Sequence, residues 1–230
     1  MNESVQADEL KPNSATMIRT LALVAMLAGF LVVIVDEVTR PVIAENQRQA
    51  VEQAIFKVIP DAIRWQEYRL KGETLLPINE NNEGITLYAG FDATGHFTGI
   101  AAEAAAQGYA DSISLLYGYK PNCECITGIK VLKSKETPGL GDKIFKDHDF
   151  TDNFKALDAK LNAQQTALKN AIVTVKHGKK TRPWQIDAIS GATVSSRAVA
   201  KALNDSAQYL LPKLLPQLGT INNLELAPQE

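Results

Sequence analysis

The sequence predicts an α+β protein with one N-terminal transmembrane helix, followed by a single domain in which an antiparallel sheet carries flanking helices. Three observations predict it. Leu21–Val35 is an uncharged run rich in Leu, Val, Ala and Ile, bounded by Arg19 and by Asp36-Glu37. Strand-like segments separated by turn residues follow it. Near the C-terminus, Val199, Leu203, Ala207, Leu210 and Leu214 fall at helical spacing.

Composition narrows the function. The 230 residues are 45% hydrophobic and 22% charged, which is globular usage, and the formal net charge of −2 offers no general attraction for a phosphate backbone. No nucleic-acid-binding signature is present, so nucleic acid is not an expected partner. His96, His148 and His177 stand far apart with no metal-ligand spacing, and no metal site is expected. Cys123 and Cys125, one residue apart, define no disulfide framework; we read them as two small apolar side chains near a strand start.

The apolar run reads as a membrane anchor. It is short for a bilayer core, but Ala15–Ile18 extends it if Arg19 snorkels to the headgroups. Val42-Ile43-Ala44 loosely resembles a signal-peptide cleavage site, yet the run exceeds most signal cores and the chain beyond it continues as helix. Lys11 and Arg19 on one side nearly balance Arg40 and Arg48 on the other, so charge alone leaves the orientation open. Pro41 suits the first position of a connecting helix, with Val51, Ala54, Ile55, Val58 and Ile59 at helical spacing until Pro60 stops it. The expected boundaries are a tail at 1–16, the span at 17–37, the connecting helix at 38–60, the domain at 61–216 and a second tail at 217–230.

Within the domain, Ile85–Phe91, Phe97–Glu103, Ile126–Leu132 and Ala171–Val175 read as strands of one antiparallel sheet, with a polar turn at 79–84. Phe150, Phe154, Leu157 and Leu161 predict a covering helix over 149–161, capped by Asp149 or Thr151. The basic run Lys176–Arg182 around Gly178 reads as a hairpin tip.

The chemistry concentrates in Asp187-Ala188-Ile189-Ser190-Gly191-Ala192-Thr193-Val194-Ser195-Ser196. Physically this is a strand end, a tight turn permitted by Gly191, and a helix beginning near Ser195. Helix N-termini present N–H groups and a positive dipole end, so a phosphate suits the position of Thr193. Thr and Ser before a helix also serve simply as caps. There is no Gly-x-x-x-x-Gly-Lys-Ser/Thr loop, no Gly-x-Ser-x-Gly elbow and no His beside a nucleophile, which argues against a hydrolase.

Here the sequence resembles the FMN-binding domain family carried by the G subunit of Rnf ion-translocating oxidoreductases and the related C subunit of Nqr. The resemblance rests on Ser190–Ser196 with the acidic residue at Asp187, and on Ile126-Thr127-Gly128-Ile129-Lys130-Val131-Leu132 followed by Lys135–Lys143. It implies FMN held covalently, through a phosphoester on Thr193, with Asp187, Ser190, Gly191, Ala192, Val194, Ser195 and Ser196 around the phosphate. Glu136, Thr137, Pro138, Gly139, Leu140 and Gly141 are expected to cover the flavin ring: Pro138 stiffens a turn, the glycines allow close approach and Leu140 gives an apolar contact. A separate flavin transferase is expected to make the ester, recognising Asp187 and the small residues.

The resemblance further implies an electron-transfer subunit rather than a stand-alone enzyme, passing electrons between ferredoxin and NAD(H) beside other Rnf subunits, with ion translocation coupled. It places the protein in the cell inner membrane by a single span, its flavin domain on the periplasmic side. The nearest alternatives are an Nqr-type C subunit and a tethered binding or assembly module without flavin.

Overall fold

A computed structural model describes residues 14–77 and 83–219. Both expected tails and the polar turn at 79–84 lie largely outside the described residues. The chain divides into two compact units, Met1–Arg48 and Gln49–Glu230.

The described residues of the first unit, from Ser14 on, are exposed helix. Helix α1, Ser14–Val58, is long and apolar enough to cross a membrane. Met26, Leu31 and Val35 all point outward, a pattern that suits lipid rather than water. The helix does not restart at Pro41, as the sequence suggested; Pro41 sits inside it. Proline has helical φ and removes one backbone donor, and the helix continues through it.

The second unit is built on an antiparallel sheet in the order β2-β1-β3-β4-β5-β6-β7. Its strands are β1 Arg64–Lys71, β2 Thr74–Pro77, β3 Ile85–Phe91, β4 Phe97–Gln107, β5 Ser112–Lys120, β6 Cys125–Lys133 and β7 Leu157–Asp158. Both faces are covered. The last turns of α1 lay Ala54, Ile55 and Val58 on Tyr88, Ala101 and Leu116 of one face. Glycines at 118 and 128 make the notch that admits this helix end: a Cβ on Gly118 would lie 2.0 Å from the Val58 carbonyl oxygen. Thr127 Oγ1 donates to that carbonyl at 2.5 Å, satisfying one of the acceptors a helix end leaves over.

Against the opposite face packs helix α4, Thr193–Leu214, through Val199, Leu203, Ala207, Leu210 and Leu214. Beneath it β4 presents Ala102 and Ala104, whose small side chains let the helix approach. A sheet buried on both faces loses the in-out alternation of a one-sided sheet. The burial of Leu115 to Tyr119 in an unbroken run shows this directly.

Four further sequence expectations are corrected. The covering helix over 149–161 is only α3, His148–Asp152, after the short α2, Lys143–Lys146. Its cap is Asp147, which accepts the Phe150 N–H at 3.2 Å, and it ends because Asn153 Nδ2 donates to the Phe150 carbonyl at 3.0 Å, taking an acceptor a continuing helix needs. Phe150, Phe154, Leu157 and Leu161 are buried all the same, and β7 forms where a further turn was expected.

The strand near 171–175 is β8, Val173–Val175, and it leaves the antiparallel sheet to pair in parallel with β9, Gln185–Asp187. The basic run at 176–182 is therefore a crossover between parallel strands and no hairpin tip. Cys123 and Cys125 are joined in a disulfide with Cα atoms 5.1 Å apart. A turn puts Glu124 at φ 50 and swings Cys123 back to Cys125, which a straight strand reading had not anticipated.

Candidate functional site

The site forms where α4 begins. Gly191 takes φ 82, a conformation that L side chains rarely adopt, and lets the chain turn sharply from β9 into the helix. The helix starts at Thr193, two positions before Ser195 where periodicity put it, and no side chain caps its first turn from the N-cap residue Ala192. The capping role that threonine could have played is thus vacant.

The hydroxyl residues of the motif divide by environment. Ser196 is fully buried, donates to the Ala192 carbonyl at 2.9 Å and accepts the Ile189 N–H at 3.1 Å. Ser195 is buried and donates to Glu136 Oε2. These two hydroxyls hold the turn from inside. Thr193 is exposed, and its hydroxyl has no hydrogen-bond partner among the described residues.

Two clefts meet at Thr193. One, of about 600 Å³, is bordered by Lys176, His177, Ser190, Thr193 and Arg197. The other, of about 480 Å³, is bordered by Tyr109, Thr137, Leu140, Thr193 and Val194. Both fall in the range of about 300–1,000 Å³ usual for small-molecule sites. The first is cationic and the second is lined largely by apolar and aromatic groups. A smaller cleft of about 290 Å³ continues past Ser190 toward Asp187 and Lys143.

The segment 136–141 does border the second cleft, but its members play different parts. Pro138 and Gly139 form a turn closed by the Leu140 N–H on the Thr137 carbonyl at 3.2 Å, with Gly139 at φ 79. This turn presents Leu140, half exposed, at the cleft. Glu136 faces inward and is 7% exposed. Its Oε1 accepts the backbone N–H groups of Tyr109 at 2.9 Å and Ala110 at 3.1 Å. Gly141 supplies room for this carboxylate, since a Cβ there would meet Glu136 Oε2 at 2.4 Å and Ser195 Oγ at 2.8 Å.

Asp187 is likewise engaged. Its carboxylate accepts the N–H groups of Gly178 at 2.8 Å and Lys179 at 3.4 Å, fixing the turn that carries Lys176 and His177 to the cationic cleft. Asn153 Oδ1 accepts the Asp187 N–H and the Lys180 Nζ, each at 3.0 Å. Burial lowers the Lys180 pKa, with Asp187 pulling the other way. The sequence reading singled out neither Tyr109 nor Asn153 nor Arg197. Arg197 alone carried a signal, lying one helical turn beyond Thr193 on the same face.

The family pattern described as an FMN-binding domain matches residues 108–208, and that described as the RnfG N-terminal region matches residues 19–58. The chain belongs to the G-subunit family of ion-translocating oxidoreductase complexes. It is 33% identical over 195 residues to the G subunit of such a complex from Aliivibrio fischeri, covering 82% of this chain and 86% of the relative. With the corresponding G subunit from Methanosarcina acetivorans it shares 29% identity over 194 residues, 84% of this chain and 93% of the relative. The G subunit of the Na(+)-translocating ferredoxin:NAD(+) oxidoreductase complex of Acetobacterium woodii is 28% identical, covering 82% and 87% of the respective chains. Among solved structures, Shewanella oneidensis NqrC superposes with a TM-score of 0.59 at 14% identity, covering 78% of this chain and all of that one. At that identity the likeness shows the shared fold.

Proposed function

We propose that this chain is the membrane-anchored flavoprotein subunit of an Rnf-type complex, carrying one FMN through a phosphoester on Thr193. It passes electrons within a path between ferredoxin and NAD(H) that is coupled to ion translocation. The observation that carries the attachment is the division of hydroxyls: Ser195 and Ser196 are buried and bonded, while Thr193 stands exposed between a cationic and an apolar cleft.

The residues present fit the group. Lys176, His177 and Arg197, with the uncapped first turn of α4, would hold the phosphate. Tyr109, Leu140 and Val194 would face the ring. Bound FMN supplies the electron-transfer chemistry, which belongs to the cofactor. The protein's own part is to anchor, orient and shield. An ester on Thr193 gives the ring a high effective concentration at its cleft through every turnover. A separate flavin transferase would make this ester.

The flavin domain faces the periplasm, from the inner membrane. The resemblance to the G-subunit family supports this side, since flanking charge gives no preference. Other subunits of the complex are the partners.

Mass spectrometry of full-length protein from its native host tests the assignment. The expected result is one added FMN localised to residues 187–197, with in-gel flavin fluorescence that is lost in Thr193→Ala. Folded native protein with an unmodified Thr193 overturns it and leaves a binding or assembly module without flavin.

A further inference from the structure

The disulfide between Cys123 and Cys125 closes a loop containing a single residue, Glu124. A cross-link restricts the unfolded chain in proportion to the logarithm of the loop it closes, so this one restricts almost nothing. Nor does the surrounding hairpin need it. Lys120 pairs with Cys125 and Tyr119 with Ile126 in the β5–β6 ladder, and Cys125 pairs with Asp158 on its other side. The Glu124 carbonyl also accepts the Ala159 N–H at 3.0 Å, and its N–H donates to the Pro121 carbonyl at 3.1 Å.

The two sulfurs differ in access. Cys123 is exposed in the turn, while Cys125 is 6% exposed at the start of β6. Glu124 between them is held in the left-handed region, at φ 50, by its own backbone hydrogen bonds, so the turn keeps the two cysteines close whether or not the bond is made. An exposed bond with little to stabilise has the character of labile disulfides.

We propose that Cys123–Cys125 is a thiol–disulfide exchange site whose substrate is a dithiol protein. A thiolate of the partner attacks the exposed Cys123 sulfur, the Cys123–Cys125 bond breaks, and Cys125 leaves as a thiolate that takes up a proton. The partner's second thiolate then attacks its own sulfur in the mixed disulfide and releases Cys123. Two electrons and two protons pass from the partner's dithiol to this chain, and the partner becomes a disulfide. Cys125 stays fixed by its strand pairing, so reoxidation re-forms the same bond. This site is independent of the flavin reading, since its readout is thiol content.

The test uses full-length protein in detergent, incubated with thioredoxin as the dithiol probe, then alkylated and weighed. The folded protein is expected to gain two alkyl groups with its melting temperature nearly unchanged. A Cys125→Ser variant, mixed with oxidised glutathione, is expected to form the mixed disulfide at Cys123. A Cys123→Ser variant should react roughly tenfold more slowly, because burial withholds the thiolate. A bond that resists thioredoxin until the protein unfolds overturns the proposal, as does a large loss of melting temperature in the Cys123→Ser/Cys125→Ser double variant. Freshly isolated protein with both cysteines already alkylatable and no oxidised fraction overturns it as well.

Discussion

The carboxylate of Glu136 accepts the hydroxyl of Ser195, and so ties the loop after β6 to the first turn of α4. Through its other oxygen it also holds the backbone of Tyr109 and Ala110 in the turn between β4 and β5. Three segments distant in sequence are thereby fixed around one buried acid, and all three border the cleft that opens at Thr193.

Removing that acid should be costly. Glu136→Ala leaves the buried Ser195 hydroxyl without its acceptor, at about 1–3 kcal/mol, and hands the N–H groups of Tyr109 and Ala110, on exposed residues, to water. Thermal denaturation should show a clear drop, with Glu136→Gln intermediate because it retains one acceptor oxygen. A Glu136→Ala protein that melts like the parent would refute the clamp.

Gly118 should tolerate no side chain. A Cβ placed 2.0 Å from the Val58 carbonyl must displace the helix end or the strand, so Gly118→Ala is expected to lose about 3 kcal/mol or more. The urea midpoint of the purified protein measures this. Gly139→Ala makes a useful contrast: nothing lies within 4 Å of its Cβ, and only the positive φ resists the change, so about 1 kcal/mol is expected.

Asn153 should govern the basic crossover. Asn153→Ala frees Lys180 and leaves the Asp187 N–H without its acceptor, a loss of about 1–3 kcal/mol if that group stays dry. Amide hydrogen exchange should rise at residues 176–187 before it rises in the sheet. Unchanged protection there would show that the turn is held without Asn153.

Acid should weaken the domain partly through Asp142. Its hydrogen bond from Lys146 at 2.5 Å, reinforced by the ammonium charge, holds its pKa below the ordinary 3.8 despite opposing burial. A carboxyl whose folded pKa is depressed adds stability that is complete above its unfolded pKa and lost as pH falls through the folded one. Lys146→Gln should therefore lower the melting temperature at neutral pH and converge with the parent as pH drops below the carboxylate range. A melting difference that stays constant across that range would rule out the linkage.

The sequence disclosed those features whose physics is local. Ile85–Phe91 alternates and ends in turn residues, and β3 has those bounds. The apolar stripe of α4 was legible for the same reason, as was the turn at Pro138-Gly139. The 149–161 segment shows where local reading stops. Its four apolar residues are all buried, but a side-chain amide ends the helix and the strand pairing of Leu157 decides the rest. β8 and β9 could not be told from antiparallel strands, because direction is set by the crossover and not by composition. At the site, residue types pointed to Thr193, while the inward turn of Glu136 and Asp187 depended on backbone donors from distant segments, which no motif encodes.

Tyr117 Oη and Ser206 Oγ meet at 3.0 Å across 89 positions of chain, where α4 lies on the sheet. The pair joins β5 to the second half of α4, so the helix whose first turn borders both clefts is seated only after the chain through Ser206 has folded back onto the sheet.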